Sequence, residues 1–211
     1  VNLMAGVPCV VKPSEYTCYL TEVMVRDIIA SKILPEGALQ LVVGLGRGVI
    51  DHVDSEDVVT FTGSAHTGKI LKGLPHITER SVPFNLEADS LNASILGKYA
   101  TPGTVEFDLF IKEVTREITV KAGQKCTAVR RIIVPENLIE EVQDAIAKRL
   151  ASTTIGDPSV EGVRMGSLAT QTQVDRVRES VELLTKSQDI FWSCTAEHFD
   201  QSTPNSVRGY Y

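Results

Sequence analysis

The chain has 211 residues, 43% of them apolar and 23% charged, with a formal net charge of −6 at pH 7. That describes an ordinary globular chain of one or two domains and excludes collagen, coiled-coil, low-complexity and small disulfide-scaffold classes. The acidic balance argues against nucleic acid or an anionic membrane surface as the main partner. No apolar run reaches the roughly 18 residues that cross a bilayer, and no basic segment followed by an apolar one opens the chain as a secretory leader would.

In chain order, Val7 to Lys12 is a short β-branched run ended by Pro13. Ser14 is placed to cap a helix carrying Leu20, Val23, Met24 and Ile28 at helical spacing. A turn at Pro35-Glu36-Gly37 precedes a second strand, Leu39 to Val43, and a glycine-rich stretch, Gly44 to Gly48. Val58 to Phe61 reads as a third strand, Gly63-Ser64 opens a short helix through Lys72, and Val82 to Leu86 reads as a fourth strand. Strand–helix–strand alternation implies parallel pairing, so this half is α/β. The second half is also mixed. It has a helix over Glu106 to Val120, a loop over Lys121 to Thr127, a strand at Arg131 to Val134 and a helix over Leu138 to Ala151. A turn at Gly156-Asp157-Pro158, a helix over Gln171 to Lys186 and a strand-like run at Ile190 to Cys194 complete it. The rhythm changes near Glu87 to Asn92, where the domain boundary is expected. The abrupt ends at Val1 and Tyr211 suggest an internal stretch of a longer protein.

Cys9, Cys18, Cys126 and Cys194 form no CxxC pair and no zinc spacing. They read as free thiols of a reducing, cytoplasmic compartment, and no metal site is expected. Cys126 stands apart. It lies in a loop beside Lys121, Gly123 and Lys125, and nearby cations and exposure are what a nucleophilic thiol needs. The plain alternative is a cysteine packed as a small hydrophobe. Glu87 closes the fourth strand, where open α/β sheets build their sites, and could serve as a general base; a solvated strand-end acid is the alternative. In Phe61-Thr62-Gly63-Ser64 a strand feeds a helix N-terminus, whose free N–H groups suit a pyrophosphate. Lys12 and Glu15 end the first strand and could hydrogen-bond a ribose. The Gly44–Gly48 stretch lacks dinucleotide-fingerprint spacing and reads as a plain loop. The histidines, at positions 52, 66, 76 and 198, read as surface or loop residues. Asn92-Ala93-Ser94 fits a glycosylation acceptor by pattern only.

Taken in order, VVKPSE, FTGSAHTG, NLEADS and KAGQKCTAVRR resemble the aldehyde dehydrogenase superfamily. EADSLN and the run from KAGQKCTA into RRIIVP are similar to its coenzyme A-linked semialdehyde branch, which includes the dehydrogenase domain of the bifunctional ring-opening protein of phenylacetate degradation. The resemblance implies an α/β fold with a parallel-sheet dinucleotide-binding portion followed by part of an α/β catalytic domain. Residues 1–87 would be the C-terminal part of the cofactor domain and 88–211 the N-terminal part of the cysteine domain. It implies Cys126 as nucleophile, Glu87 as general base, Lys12 and Glu15 at the adenosine ribose, and Gly63 and Ser64 at the pyrophosphate. NADP or NAD would be the cofactor, an aldehyde, including one carried on coenzyme A, the substrate, and a homo-oligomer the state of the longer parent. Two departures stand out: Ala88-Asp89 replaces the usual Gly-Gly, and Glu15 would repel a 2′-phosphate. Two other readings remain open here, an inactive piece of such an enzyme and a cofactor-independent cysteine hydrolase using Cys126 with a remote histidine.

Overall fold

A computed structural model describes residues 1–46 and 48–186. The chain divides into two compact units, Val1–Asp89 and Ser90–Tyr211. Among the described residues the first carries two parallel strand pairs and the second one, each pair joined by a helical crossover, as expected of an α/β chain.

In the first unit, β1 (Cys9–Val11) pairs in parallel with β2 (Leu39–Leu41), Cys9 opposite Leu39. Parallel strands need a long return connection, and α1 (Cys18–Ala30) supplies it. Ser14 does not cap this helix, contrary to expectation. The helix begins after Thr17, and the Ser14 hydroxyl accepts from the Tyr16 N–H at 3.4 Å within the preceding turn. The expected apolar face is also rotated. Leu20, Val23 and Met24 are exposed, while Thr21, Val25 and Ile28, again at helical spacing, form the covered side. The period is the one the sequence announces, but α1 has more apolar residues than β2 can cover.

The second pair of this unit joins β3 (Val59–Gly63) to β4 (Phe84–Ala88), in register from Val59 opposite Phe84 to Gly63 opposite Ala88. The crossover is α2 (Ala65–Lys72) followed by a one-turn helix, α3 (Pro75–Glu79), which the sequence did not announce. The fourth strand starts two residues later than Val82. The Val82 N–H closes the end of α3 on the Ile77 carbonyl at 3.0 Å, and the Pro83 carbonyl takes the Val59 N–H. Glu87 therefore lies inside β4, opposite Thr62, and not beyond its end. Buried Gly68 lets α2 sit directly on β4, since a Cβ there would come 2.3 Å from Leu86 Cδ1. His76 departs from the surface reading. It is half-buried, and its Nε2 lies 2.7 Å from the Ile50 carbonyl.

In the second unit, β5 (Ala93–Ile95) pairs in parallel with β6 (Arg131–Ile133) across α4 (Val105–Thr119). Three residues with one β-branched member gave β5 no sequence signal. Thr104 caps α4 by accepting from the Phe107 N–H at 3.2 Å, and Glu106 and Asp108 suit the positive end of the helix. Phe107, Ile111 and Val114 are buried on one stripe of α4. With Leu96, Leu138 and Val142 of α5 (Ile139–Ala151), Phe107 and Ile111 make the core cluster, and each such side chain contributes about 1.5–3 kcal/mol when fully buried. α6 (Gln171–Lys186) matches its expected span. The run Ile190 to Cys194, and His198, lie outside the described residues. Among the described residues, no helix is long and apolar enough to cross a membrane.

Candidate active site

Ser64 holds the start of α2. Its Oγ accepts from the Thr67 N–H at 3.1 Å, which satisfies one of the N–H groups a helix leaves open at its first turn. The preceding Gly63 ends β3 with no side chain because Phe61 folds back over it. A Cβ at Gly63 would stand 2.6 Å from the ring. The positive end of α2 thus opens at a bare backbone step. Asp89 reaches the same place from the end of β4, its carboxylate accepting from the Ala65 N–H at 3.2 Å. Asp89 takes a left-handed φ of 51°, a conformation aspartate tolerates better than most residues. So Asp89, where the resemblance expects glycine, brings a negative charge to the positive end of a helix. Pairing of β3 with β4 sets Glu87 beside Thr62 and Ala88 beside Gly63, which brings exposed Glu87 and the Gly63–Ser64 step to one sheet end.

Lys12 follows β1 directly. Its Nζ lies 4.0 Å from Glu15 and donates to the Gly44 carbonyl at 3.3 Å. The pair offers one donor cation and one acceptor carboxylate side by side, the complement a ribose diol requires. The glycine stretch is more than a plain loop here. A Cβ at Gly46 would come 2.3 Å from Lys12 Cδ, so the lysine stem lies across the bare glycine, which holds a left-handed φ of 65°.

Cys126 belongs to the second unit and is exposed. Three successive left-handed residues precede it, Lys121, Ala122 and Gly123, with φ of 55°, 53° and 71°. At the two non-glycine positions this costs about 1 kcal/mol each. Contacts from both nearby and distant chain hold the loop in this shape. Arg130 Nη2 donates to the Gly123 carbonyl at 3.1 Å and the Lys125 carbonyl at 3.4 Å. The Gln124 amide accepts from the Ala169 N–H at 2.9 Å and donates to the Ser167 carbonyl at 3.4 Å. Asn92 Nδ2 donates to the Cys126 carbonyl at 2.6 Å and the Ala128 carbonyl at 3.1 Å. Lys125, expected to lend its charge to the thiol, is paired elsewhere. Its ammonium lies 2.9 and 2.8 Å from the two carboxylate oxygens of Glu117, so that charge is already matched. Among the described residues, neither the Cys126 N–H nor the Thr127 N–H donates to a protein acceptor.

Asn92, Gln124, Arg130, Gly46 and Asp89 were not singled out for these roles in the sequence. Asn92 carries a signal only as a glycosylation pattern, Gly46 as part of a glycine-rich stretch and Asp89 as a departure from Gly-Gly; Gln124 and Arg130 carry none of their own. The Asn92 amide protons both go to main-chain carbonyls. Among the described residues, no group of three or more His, Cys, Asp or Glu side chains is gathered to hold a metal ion.

The model of the aldehyde dehydrogenase family matches residues 1–203. The 3,4-dehydroadipyl-CoA semialdehyde dehydrogenase of Aromatoleum evansii is 45% identical over 188 residues, 89% of this chain and 36% of the relative. The alpha-ketoglutaric semialdehyde dehydrogenase of Bacillus subtilis is 31% identical over 184 residues, 85% of this chain and 36% of that protein. A crystal structure of betaine aldehyde dehydrogenase from Staphylococcus aureus, in complex with NAD+, superposes with a TM-score of 0.74 at 23% identity over 85% of this chain and 35% of that one. The last likeness shows the fold. This chain spans 36% of the length of these curated relatives. With a family model matched along nearly all its length and a relative 45% identical across most of it, the chain belongs to the aldehyde dehydrogenase family.

Proposed function

We propose that the protein carrying this chain oxidises an aldehyde to the carboxylic acid with NAD or NADP, and that the aldehyde is a semialdehyde borne on a coenzyme A thioester. The observation that carries this reading is the exposed Cys126 on a loop held from several sides, in a chain 45% identical to a coenzyme A-linked semialdehyde dehydrogenase. Residues 1–87 are assigned to dinucleotide binding and 88–211 to the cysteine chemistry.

The residues of the first unit fit a dinucleotide. Lys12 and Glu15 present a donor and an acceptor for the adenosine ribose hydroxyls. Gly63 and Ser64 present the bare backbone and capped helix end for the pyrophosphate. Glu15 favours a free 2′-hydroxyl over a 2′-phosphate, since its carboxylate would repel the latter. When bound, the nicotinamide supplies the hydride acceptor. The Cys126 thiolate attacks the aldehyde carbon, forming a carbon–sulfur bond and an oxyanion. The unclaimed N–H groups at Cys126 and Thr127 are the donors in this chain suited to that oxyanion. Loss of hydride converts the thiohemiacetal to a thioester. Glu87 takes a proton from water, the hydroxide attacks the thioester, and Cys126 leaves as thiolate.

The test is Glu87→Gln in the complete gene product. The variant should still release a burst of reduced cofactor close to one per Cys126 while its steady-state rate falls by roughly 10²–10⁴-fold. Equal loss of burst and steady state would remove Glu87 from deacylation.

A further inference from the structure

We infer that Asn92 is a positioning residue for the Cys126 thiol, using its side-chain amide to fix the peptide that follows the cysteine. This rests on the reading of Cys126 as nucleophile.

Asn92 is held by its own main chain. Its carbonyl accepts from the Arg130 N–H at 2.9 Å and the Arg131 N–H at 3.1 Å, and the next residue, Ala93, begins β5 opposite Arg131. Arg131 adds a second tie by donating from Nε to the Leu91 carbonyl at 3.0 Å. A single methylene separates this anchored backbone from the amide, so strand pairing determines where Nδ2 stands. Nδ2 in turn holds the Cys126 carbonyl at 2.6 Å and the Ala128 carbonyl at 3.1 Å. Both amide protons are in use, and both acceptors lie in the nucleophile loop.

The consequence follows from peptide planarity. In a trans peptide the N–H points opposite to the C=O of the same unit. Fixing the Cys126 carbonyl therefore aims the Thr127 N–H. The peptide on the other side of the cysteine is fixed in the same way, since the Lys125 carbonyl accepts from the Ala128 N–H at 3.2 Å and from Arg130 at 3.4 Å, which aims the Cys126 N–H. Cys126 thus sits between two pinned peptide planes whose N–H groups stay unclaimed among the described residues. Only χ1 is left to direct the sulfur. Preorganised donors of this kind stabilise charge that develops beside them, on the sulfur or on an oxyanion attached to it. Asn92 touches neither sulfur nor substrate; it acts through the peptide.

The experiment measures alkylation of Cys126 by iodoacetamide in the full chain, read on the Cys126 peptide by mass spectrometry, with the Cys9 and Cys18 peptides as references within the same molecule. Neither aldehyde nor dinucleotide is needed. Three variants separate donor chemistry from shape. Asn92→Ser keeps one donor, Asn92→Ala keeps none, and Asn92→Asp keeps the shape but sets a carboxylate against two carbonyl oxygens. The expected order of Cys126 rate constants is wild type, then Asn92→Ser within about threefold, then Asn92→Ala down roughly tenfold, then Asn92→Asp lowest, with Cys9 and Cys18 unchanged. A purely space-filling role would rank isosteric Asp nearest to wild type, and that order overturns the inference. So do four rates within twofold of one another. Amide exchange in β5 monitors folding, and where Asn92→Asp disrupts the strand, the near-equal sizes of Ser and Ala let that pair decide alone. Turnover by Cys126→Ser in the complete gene product would defeat the nucleophile reading, whereas the alkylation order judges Asn92 by itself.

Discussion

At the start of α2 the cap and the bare step come from neighbours in the chain, and Asp89 at the end of β4 is the distant group that joins them. Ser64 caps Thr67 three residues on, and Gly63 is bare because Phe61, two residues back, covers it. The Cys126 loop is held from far away instead, with Asn92 34 residues before it and Ser167 and Ala169 beyond α5. Both places present backbone N–H groups, but the helix end gets its donors from regular structure and the loop gets them from side chains that restrain an otherwise costly left-handed turn. A site of the first kind tolerates loss of one side chain, because the helix persists without it. A site of the second kind depends on every restraint, and its chemistry is concentrated in one atom.

The largest expected effect exploits that contrast. In the complete gene product, Cys126→Ser should lower turnover by 10³-fold or more, since a serine hydroxyl is a far weaker nucleophile without an activating base. Ser64→Ala should do much less. It removes a cap worth about 1 kcal/mol, and the α2 N–H groups remain for the pyrophosphate, so kcat should hold while the cofactor KM rises a few-fold. Steady-state kinetics of the two variants side by side measures the difference. Comparable losses in kcat would erase the distinction between the two places.

The same contrast explains what could be read in advance. The helices α2, α4 and α6 were legible because capping residues and apolar spacing are contiguous. The Ser64 cap was visible as Gly-Ser after a β-branched run. The apolar run places the fourth strand at Val82 to Leu86, two residues early at both ends: Val82 closes α3, and pairing with β3 carries β4 on through Glu87 and Ala88, which no local pattern shows. The clamp on Cys126 had no local signature at all. Asn92 looks like any polar residue before a short strand, and its meaning comes from pairing of β5 with β6, which the sequence does not display. Lys125 misled for the same reason, since its partner Glu117 lies on α4 and changes the charge the thiol meets.

A smaller effect sharpens the comparison from the helix side. Asp89 places a carboxylate on the Ala65 N–H, at the end of α2 proposed to take the pyrophosphate. Asn at this position retains an acceptor for that N–H and drops the charge. Asp89→Asn should therefore lower stability by only about 0.3–1 kcal/mol, the value of a charge at a helix end, while tightening dinucleotide binding roughly three- to tenfold. Thermal unfolding and fluorescence titration with NAD and NADP read the two changes, which have opposite signs. Weaker binding in this variant would mean that the carboxylate supports the cofactor site and does not compete within it.

The smallest effect concerns a motif of the local kind placed in the second unit. Asp157 accepts from the Ser159 N–H at 2.9 Å in the turn Gly156-Asp157-Pro158. That backbone hydrogen bond, with a lesser one from the Ser159 hydroxyl, holds the Asp157 carboxyl below its ordinary value of 3.8. Because the folded value is depressed, the stabilisation is present above 3.8 and is lost as pH falls through the lower, folded value. Titration of the Asp157 carboxyl by NMR should give a midpoint under 3.8 in the chain. Ser159→Ala should keep most of the depression, since the main-chain N–H is the larger cause, and Ser159→Pro, which lacks that N–H, should abolish it. A midpoint as low in Ser159→Pro as in the native chain would assign the effect to charges outside the turn, and this local motif would then depend on distant residues as the Cys126 loop does.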